Sequence, residues 1–134
     1  MITKKSHQNH NNCFVCGQQN PYSLGLKFTT NKQGETSAQF AGNSNLQGYT
    51  GILHGGIITT LLDAAMTNCL FDHGVTALTG DLQVRFLYPI PCNKTIKIQA
   101  KILTTKKPLY ILQAEILYQK KVMARAKAKF IHIQ

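Results

Sequence analysis

The sequence predicts an α+β fold in which one long, buried helix is wrapped by a strongly curved antiparallel sheet of five to six strands. Three observations carry that expectation. Residues 56–71 contain no Gly or Pro after Gly56 and are apolar on nearly every face, the mark of a helix that is buried rather than amphipathic. From Leu78 onward the chain alternates with period two, the period of strands. The inward positions of the last such run are small (Ala124, Ala126, Ala128), as suits a helix pressed close against a sheet.

The elements follow in order. Residues 1–20 are polar and rich in Asn, Gln and His, interrupted by Cys13-Phe14-Val15-Cys16-Gly17, and read as a loosely docked tail. Residues 21–134 form the domain. A turn at 21–25 leads to a short strand at 26–29. A second turn, Asn31-Lys32-Gln33-Gly34, leads to a strand at 35–41. The Gly-, Asn- and Ser-rich stretch 42–51 reads as a loop. The helix follows and stops at Asp72-His73-Gly74, with Gly74 as the cap residue. In the next strand Leu78, Leu82, Val84 and Phe86 are expected on one face, and Thr79, Asp81, Gln83 and Arg85 on the other. Pro89 and Pro91 end it. Ile96, Ile98, Ala100 and Ile102 repeat the pattern, then Leu112, Ala114, Ile116 and Tyr118, then Ala124, Ala126, Ala128 and Phe130.

A chain of 134 residues with 43% hydrophobic content fits one domain with a real core. The longest apolar stretch, 57–70, is broken by polar residues and is too short to cross a membrane. The charged N-terminus has no apolar run behind it and does not resemble a secretory signal. A cytoplasmic protein with four reduced cysteines is therefore expected. The formal net charge of +10, from 15 Lys and Arg against 5 Asp and Glu, favours polyanionic partners. Few carboxylates are available for chemistry: Glu35, Asp63, Asp72, Asp81 and Glu115.

The segment 51–63 concentrates the chemical signal. His54-Gly55-Gly56 stands where loop becomes helix, and a helix N-terminus offers free N–H groups and partial positive charge. A carbonyl placed there would develop its negative charge against those amides, an oxyanion hole. Asp63 is the one charged residue of 56–71, and an unpaired buried carboxylate is costly unless it has a use. Gly56 and Asp63 lie on nearly one helix face but about 10 Å apart along it, at ~1.5 Å per residue. Two antiparallel helices across a two-fold axis bring the glycine amide of one copy to the Asp of the other. A dimer, or dimer of dimers, with the site at its interface is expected.

These residues resemble the phenylacetyl-CoA thioesterase (PaaI-like) branch of the hotdog superfamily, which has His-Gly-Gly at the start of its central helix and an acidic residue nine positions after the His. His54 and Asp63 have that spacing. The tract 78–91, LTGDLQVRFLYPIP, and the opening 13–28, CFVCGQQNPYSLGLKF, are also similar, so the resemblance spans roughly residues 13–132. It implies a hotdog fold and hydrolysis of an acyl-CoA thioester. Asp63 is then the general base or a nucleophile. Gly55 and Gly56 polarise the carbonyl, His54 helps orient it, and Thr79 holds the attacking water. Gly48 occupies the place of an Asn that some members use, with Gln47 one residue off. Ala64 stands where relatives often have Glu, so a second carboxylate is absent. Coenzyme A enters as part of the substrate, with no separate cofactor. Arg85, Lys106, Lys107, Lys120, Lys121 and Arg125 are the candidates to meet its phosphates.

Other readings carry less. A non-catalytic acyl-CoA or fatty-acyl binding module on the same fold has no need of Asp63. A hotdog dehydratase uses a His/Glu or Asp/His arrangement not found around this helix. Nucleic-acid binding lacks aromatics interleaved with the basic residues. His7, His10, Cys13 and Cys16 are three apart and of zinc-binding type, but most zinc sites draw a second pair from farther along the chain. The expectation is a docked loop plugged by Phe14, with no metal. Cys69 and His132 are expected to be structural.

Overall fold

A computed structural model describes residues 10–133. Its strands are β1 (Thr29–Thr30), β2 (Thr36–Ala41), β3 (Ala77–Phe86), β4 (Thr95–Lys106), β5 (Leu109–Tyr118) and β6 (Lys121–His132), with one helix, α1 (Gly55–Asp72), between β2 and β3. They form a single antiparallel sheet in the order β1-β2-β4-β5-β6-β3. Helix α1 packs on β2, β3, β4, β5 and β6 together. Five strands at ~4.8 Å spacing are about 19 Å across, wider than a helix of ~10 Å, so the sheet must curl around it.

The alternation places the core as expected. Ile96, Ile98 and Ala100, then Leu112, Ala114 and Ile116, then Ala124, Ala126, Ala128 and Phe130 are buried. They meet Leu61, Leu62, Ala65, Met66 and Cys69 of the helix, all fully buried. Each such side chain contributes on the order of 1.5–3 kcal/mol by leaving water.

Helix α1 begins one residue earlier and ends one later than expected, and its ends are well defined. His54 is extended (φ −61°, ψ 137°) and its ring Nδ1 accepts from the Gly56 N–H at 2.8 Å, capping the first turn. At the far end Gly74 takes φ +77°, and the N–H groups of Gly74 and Val75 donate to the carbonyls of Phe71 and Leu70. That is a Schellman ending, which needs a left-handed residue after the cap.

Four expectations change. The helix is not covered all round: Gly56, Thr59, Thr60, Asp63 and Thr67 form an open stripe, because the sheet covers one side and the leader only part of the other. Leucine 78 and Thr79 exchange faces, because β3 carries an extra residue at Gly80 relative to β6. Thr79 pairs with inward Phe130 and Leu82 with inward Ala128, whereas Leu78 pairs with Ile131 and is 61% exposed. Finally, the strand expected at 26–29 is reduced to Thr29–Thr30. Leu26 is buried instead by bonding its N–H to the carbonyl of Val15. Val15, not Phe14, plugs the leader into the core; Phe14 is exposed.

Candidate active site

The loop before α1 is strapped in place by the segment that follows β3. The Leu53 N–H donates to the Ile90 carbonyl at 2.8 Å, and the Cys92 N–H to Gly51 at 3.0 Å. This fixes His54 at the mouth of the helix. Because Nδ1 of His54 accepts from Gly56, the neutral ring carries its proton on Nε2, which is free to donate outward. The Gly56 amide is thereby used. The Gly55 amide has no partner among the described residues and is the open donor at this helix end.

Asp63 is half-exposed on the open stripe, and Thr79 donates to its Oδ1 at 2.6 Å. With its proton committed to the carboxylate, the Thr79 oxygen keeps lone pairs for a water hydrogen. One side chain thus orients the carboxylate and leaves a place for water beside it. Thr59 and Thr60 bond back to the Gly55 and Gly56 carbonyls at 2.9 and 2.8 Å and present no free hydroxyl proton.

A groove of about 650 Å³ opens beside His54 and Gly55. Its walls include Tyr49, Ile52, Ile58, Phe86, Leu87 and Tyr88. A Cβ on Gly55 would stand 3.6 Å from the Phe86 ring, so that ring lies against the helix start. Sequence reasoning missed these walls. The signal was available: Phe86-Leu87-Tyr88 is an apolar run that outlasts the alternation and ends at Pro89.

Gly48 lies against the His54 ring, which a Cβ there would approach to 3.4 Å. Gln47 spends its side-chain oxygen on the Gly51 N–H at 2.9 Å. Among the described residues no Asn or Gln lines the groove.

The six basic candidates divide. Lys121 lies with its Nζ 3.6 Å over the Tyr88 ring, at the rim of the groove. Lys120 is beside it in the β5–β6 turn. Arg85 and Arg125 face each other across β3 and β6 on the outer face, separated from Lys121 by a bulge at Met123. Lys106 and Lys107 stand at the opposite end of β5, where Lys107 neighbours His73 at the helix C-terminus. His132 is exposed at that same end.

A second cluster lies on the leader. His10, Cys13 and Cys16 place their ligand atoms within 4.8 Å of one another, and His7 lies outside the described residues. Burial, and then the neighbouring Cys13, push the Cys16 thiol up to about 11. Cys69 is fully buried in the core as expected, and burial pushes its thiol up as well.

Comparison with known proteins places this geometry. The fold is that of the PaaI protein of E. coli: all of this chain superposes on 97% of that one with a TM-score of 0.81, at 20% identity. The smu.793 protein of Streptococcus mutans, solved bound to acetyl CoA, matches 81% of this chain and 88% of its own with a TM-score of 0.75 and 18% identity. These likenesses identify the hotdog fold. In sequence, 75 residues (56% of this chain) are 32% identical to acyl-coenzyme A thioesterase THEM4 of Bos taurus, covering 30% of that protein. The match spans less than a third of the length of each of these THEM4 proteins. Residues 50–124, which hold His54, Gly55, Asp63 and Thr79, match the thioesterase superfamily, and the chain belongs to that superfamily.

Proposed function

We propose that the protein hydrolyses acyl-CoA thioesters at a site shared between two copies of the chain. The observation that carries this reading is the Asp63 carboxylate, oriented by the Thr79 hydroxyl on the open stripe of α1. The named activity of the THEM4 relatives and the CoA-bound structures of the same fold support it.

In the reaction, Asp63 takes a proton from the water that Thr79 holds, and the hydroxide adds to the thioester carbonyl. The oxyanion meets the Gly55 amide at the positive end of the helix, with His54 Nε2–H beside it. Collapse expels the CoA sulfur, which recovers the proton from Asp63. The acyl group occupies the groove walled by Ile58, Phe86 and Tyr88.

Gly55 and Asp63 are eight residues apart, about 12 Å along one helix at ~1.5 Å per residue, so one chain does not bring them to the same carbonyl. A second copy does. The open stripe is small and polar, and it borders β3, whose other edge pairs with no strand among the described residues. A two-fold dimer that joins these surfaces sets the Gly55 of one copy against the Asp63 of the other.

Two experiments test the reading. The wild-type chain is assayed by thiol release on short, medium, long and aryl acyl-CoAs; turnover of none would contradict hydrolysis. Mixed oligomers then test sharing. Gly55→Pro removes the amide, and the extended His54 (ψ 137°) tolerates a following proline at the first helical position. Oligomers of Gly55→Pro with Asp63→Asn should regain activity that neither variant has alone. No regain would place the whole site within one chain.

A further inference from the structure

We propose that His10, Cys13 and Cys16 bind a structural zinc ion that clasps the leader to the C-terminal part of the central helix. The three ligand atoms lie within 4.8 Å of one another, and His10 Nδ1 is 3.8 Å from Cys16 Sγ. A tetrahedral zinc with bonds of about 2.3 Å to sulfur and 2.0–2.1 Å to nitrogen has edges of roughly 3.6–3.8 Å. The edge from His10 Nδ1 to Cys16 Sγ therefore already has the length of an edge of such a site, and the remaining separations are within 4.8 Å.

The local backbone has the form of a metal knuckle. Val15 donates its N–H to Cys13 Sγ at 3.4 Å, and Gly17 donates its N–H to the Cys13 carbonyl at 2.8 Å. The turn is so tight that a Cβ on Gly17 would come within 2.5 Å of the Asn11 carbonyl and the Cys13 nitrogen, so only glycine fits after Cys16. Asn68 of α1 turns its amide toward Cys16 Sγ at 3.8 Å. Donors aimed at sulfur stabilise thiolate ligands in the way that outer partners of metal sites do. Two soft sulfurs and one imidazole suit zinc over magnesium or calcium. Water or a further donor completes the four-coordinate shell.

The site's role follows from its place. The His10 ring packs edge-on to Phe71, with centroids 4.6 Å apart, and Cys16 meets Asn68. Asn68 is about 21 Å along the helix from His54 at ~1.5 Å per residue. The ion is a fastener, remote from the proposed chemistry.

The full chain, purified reduced and dialysed against micromolar zinc, should hold about one zinc per chain by elemental analysis. Cys13→Ser/Cys16→Ser should hold less than about a tenth of that. Chelation should lower the melting temperature by on the order of 5 °C. Activity per folded protein at low temperature should be unchanged. Cobalt substitution on wild type provides a reading that does not require a variant to fold: sulfur-to-cobalt charge-transfer and tetrahedral ligand-field bands are expected. Failure of the reduced wild type to retain zinc would overturn the proposal. So would equal zinc in the Ser variant, cobalt spectra without sulfur bands, or a leader that oxidises to a Cys13–Cys16 disulfide in the presence of zinc.

Discussion

Thr79 reaches Asp63, at 2.6 Å, because Gly80 adds one residue to β3 between them and the rest of the strand. In a strand without that bulge Thr79 and Leu82, three residues apart, would occupy opposite faces of the sheet. The extra residue lets both face the helix: Thr79 toward the carboxylate, Leu82 toward the core.

Thr79→Val should therefore lower kcat roughly 10–100-fold, the scale of a misplaced acid–base group, while Thr79→Ser keeps most of it. Gly80→Ala should be tolerated, since its Cβ would meet Ile131 and Lys129 only at 3.5 Å. Deleting Gly80 would leave Thr79 and Leu82 two apart, on one face with the same partners Phe130 and Ala128, so it should keep most of the activity that Thr79→Val loses. Steady-state rates and melting temperatures on the four variants check this.

That bulge marks where the sequence stopped being readable. The helix, read at 56–71 from its all-round apolarity and lack of Gly and Pro, lies at 55–72, and alternation recovers the inward faces of β4, β5 and β6 because 96–100, 112–116 and 124–130 lie clear of the bulges past Ile102 and at Met123. A single inserted residue is invisible to a count by twos, so Thr79 read as outward although its likeness to the family singled it out. The open stripe was hidden for another reason. Thr59, Thr60 and Thr67 bond to their own turn or stand half-exposed, and residue type alone does not say which side the sheet leaves bare. The groove walls went unread because Phe86, Leu87 and Tyr88 look like strand residues until the chain turns them out. The leader looked mobile because its polar residues mask one buried valine and the cluster that Gly17 folds.

Gly55 and Gly56 should respond differently to alanine. A Cβ on Gly56 would stand 3.0 Å from His54 Nδ1 and push the ring off its cap. On Gly55 it meets the Phe86 ring at an ordinary 3.6 Å. Gly55→Ala should leave stability equal or higher, through helix propensity. Gly56→Ala should be less stable than Gly55→Ala by about 1 kcal/mol, the worth of a cap. Paired urea titrations measure the difference; equal midpoints would contradict the capping role of His54.

The β5–β6 hairpin holds Gln119 at φ 51° and Lys120 at φ 66°, both left-handed and neither glycine. Replacing them with Asn-Gly should stabilise the protein by about 1 kcal/mol, since that pair takes the turn without steric cost. The denaturation midpoint tests it. Retained KM in the same variant would exclude Lys120 as a phosphate contact.

Lys121, held over Tyr88 at the groove rim, is the basic residue best placed for a CoA phosphate. Lys121→Ala should raise KM roughly 3–10-fold with kcat kept, as the loss of a charged contact worth about 1 kcal/mol does. The difference should shrink as salt is added. An unchanged KM at low salt would remove Lys121 from the site.

The most direct measurement is kcat/KM of Asp63→Asn on the best acyl-CoA of the panel, with its melting temperature taken alongside. Asn keeps the shape and the hydrogen bond with Thr79 but cannot take a proton from water. The account predicts a loss of about 100-fold or more, typical of a removed general base, in a protein that melts within a few degrees of wild type. Wild-type turnover in a folded Asp63→Asn protein would contradict it and leave the helix carboxylate without a part in the chemistry.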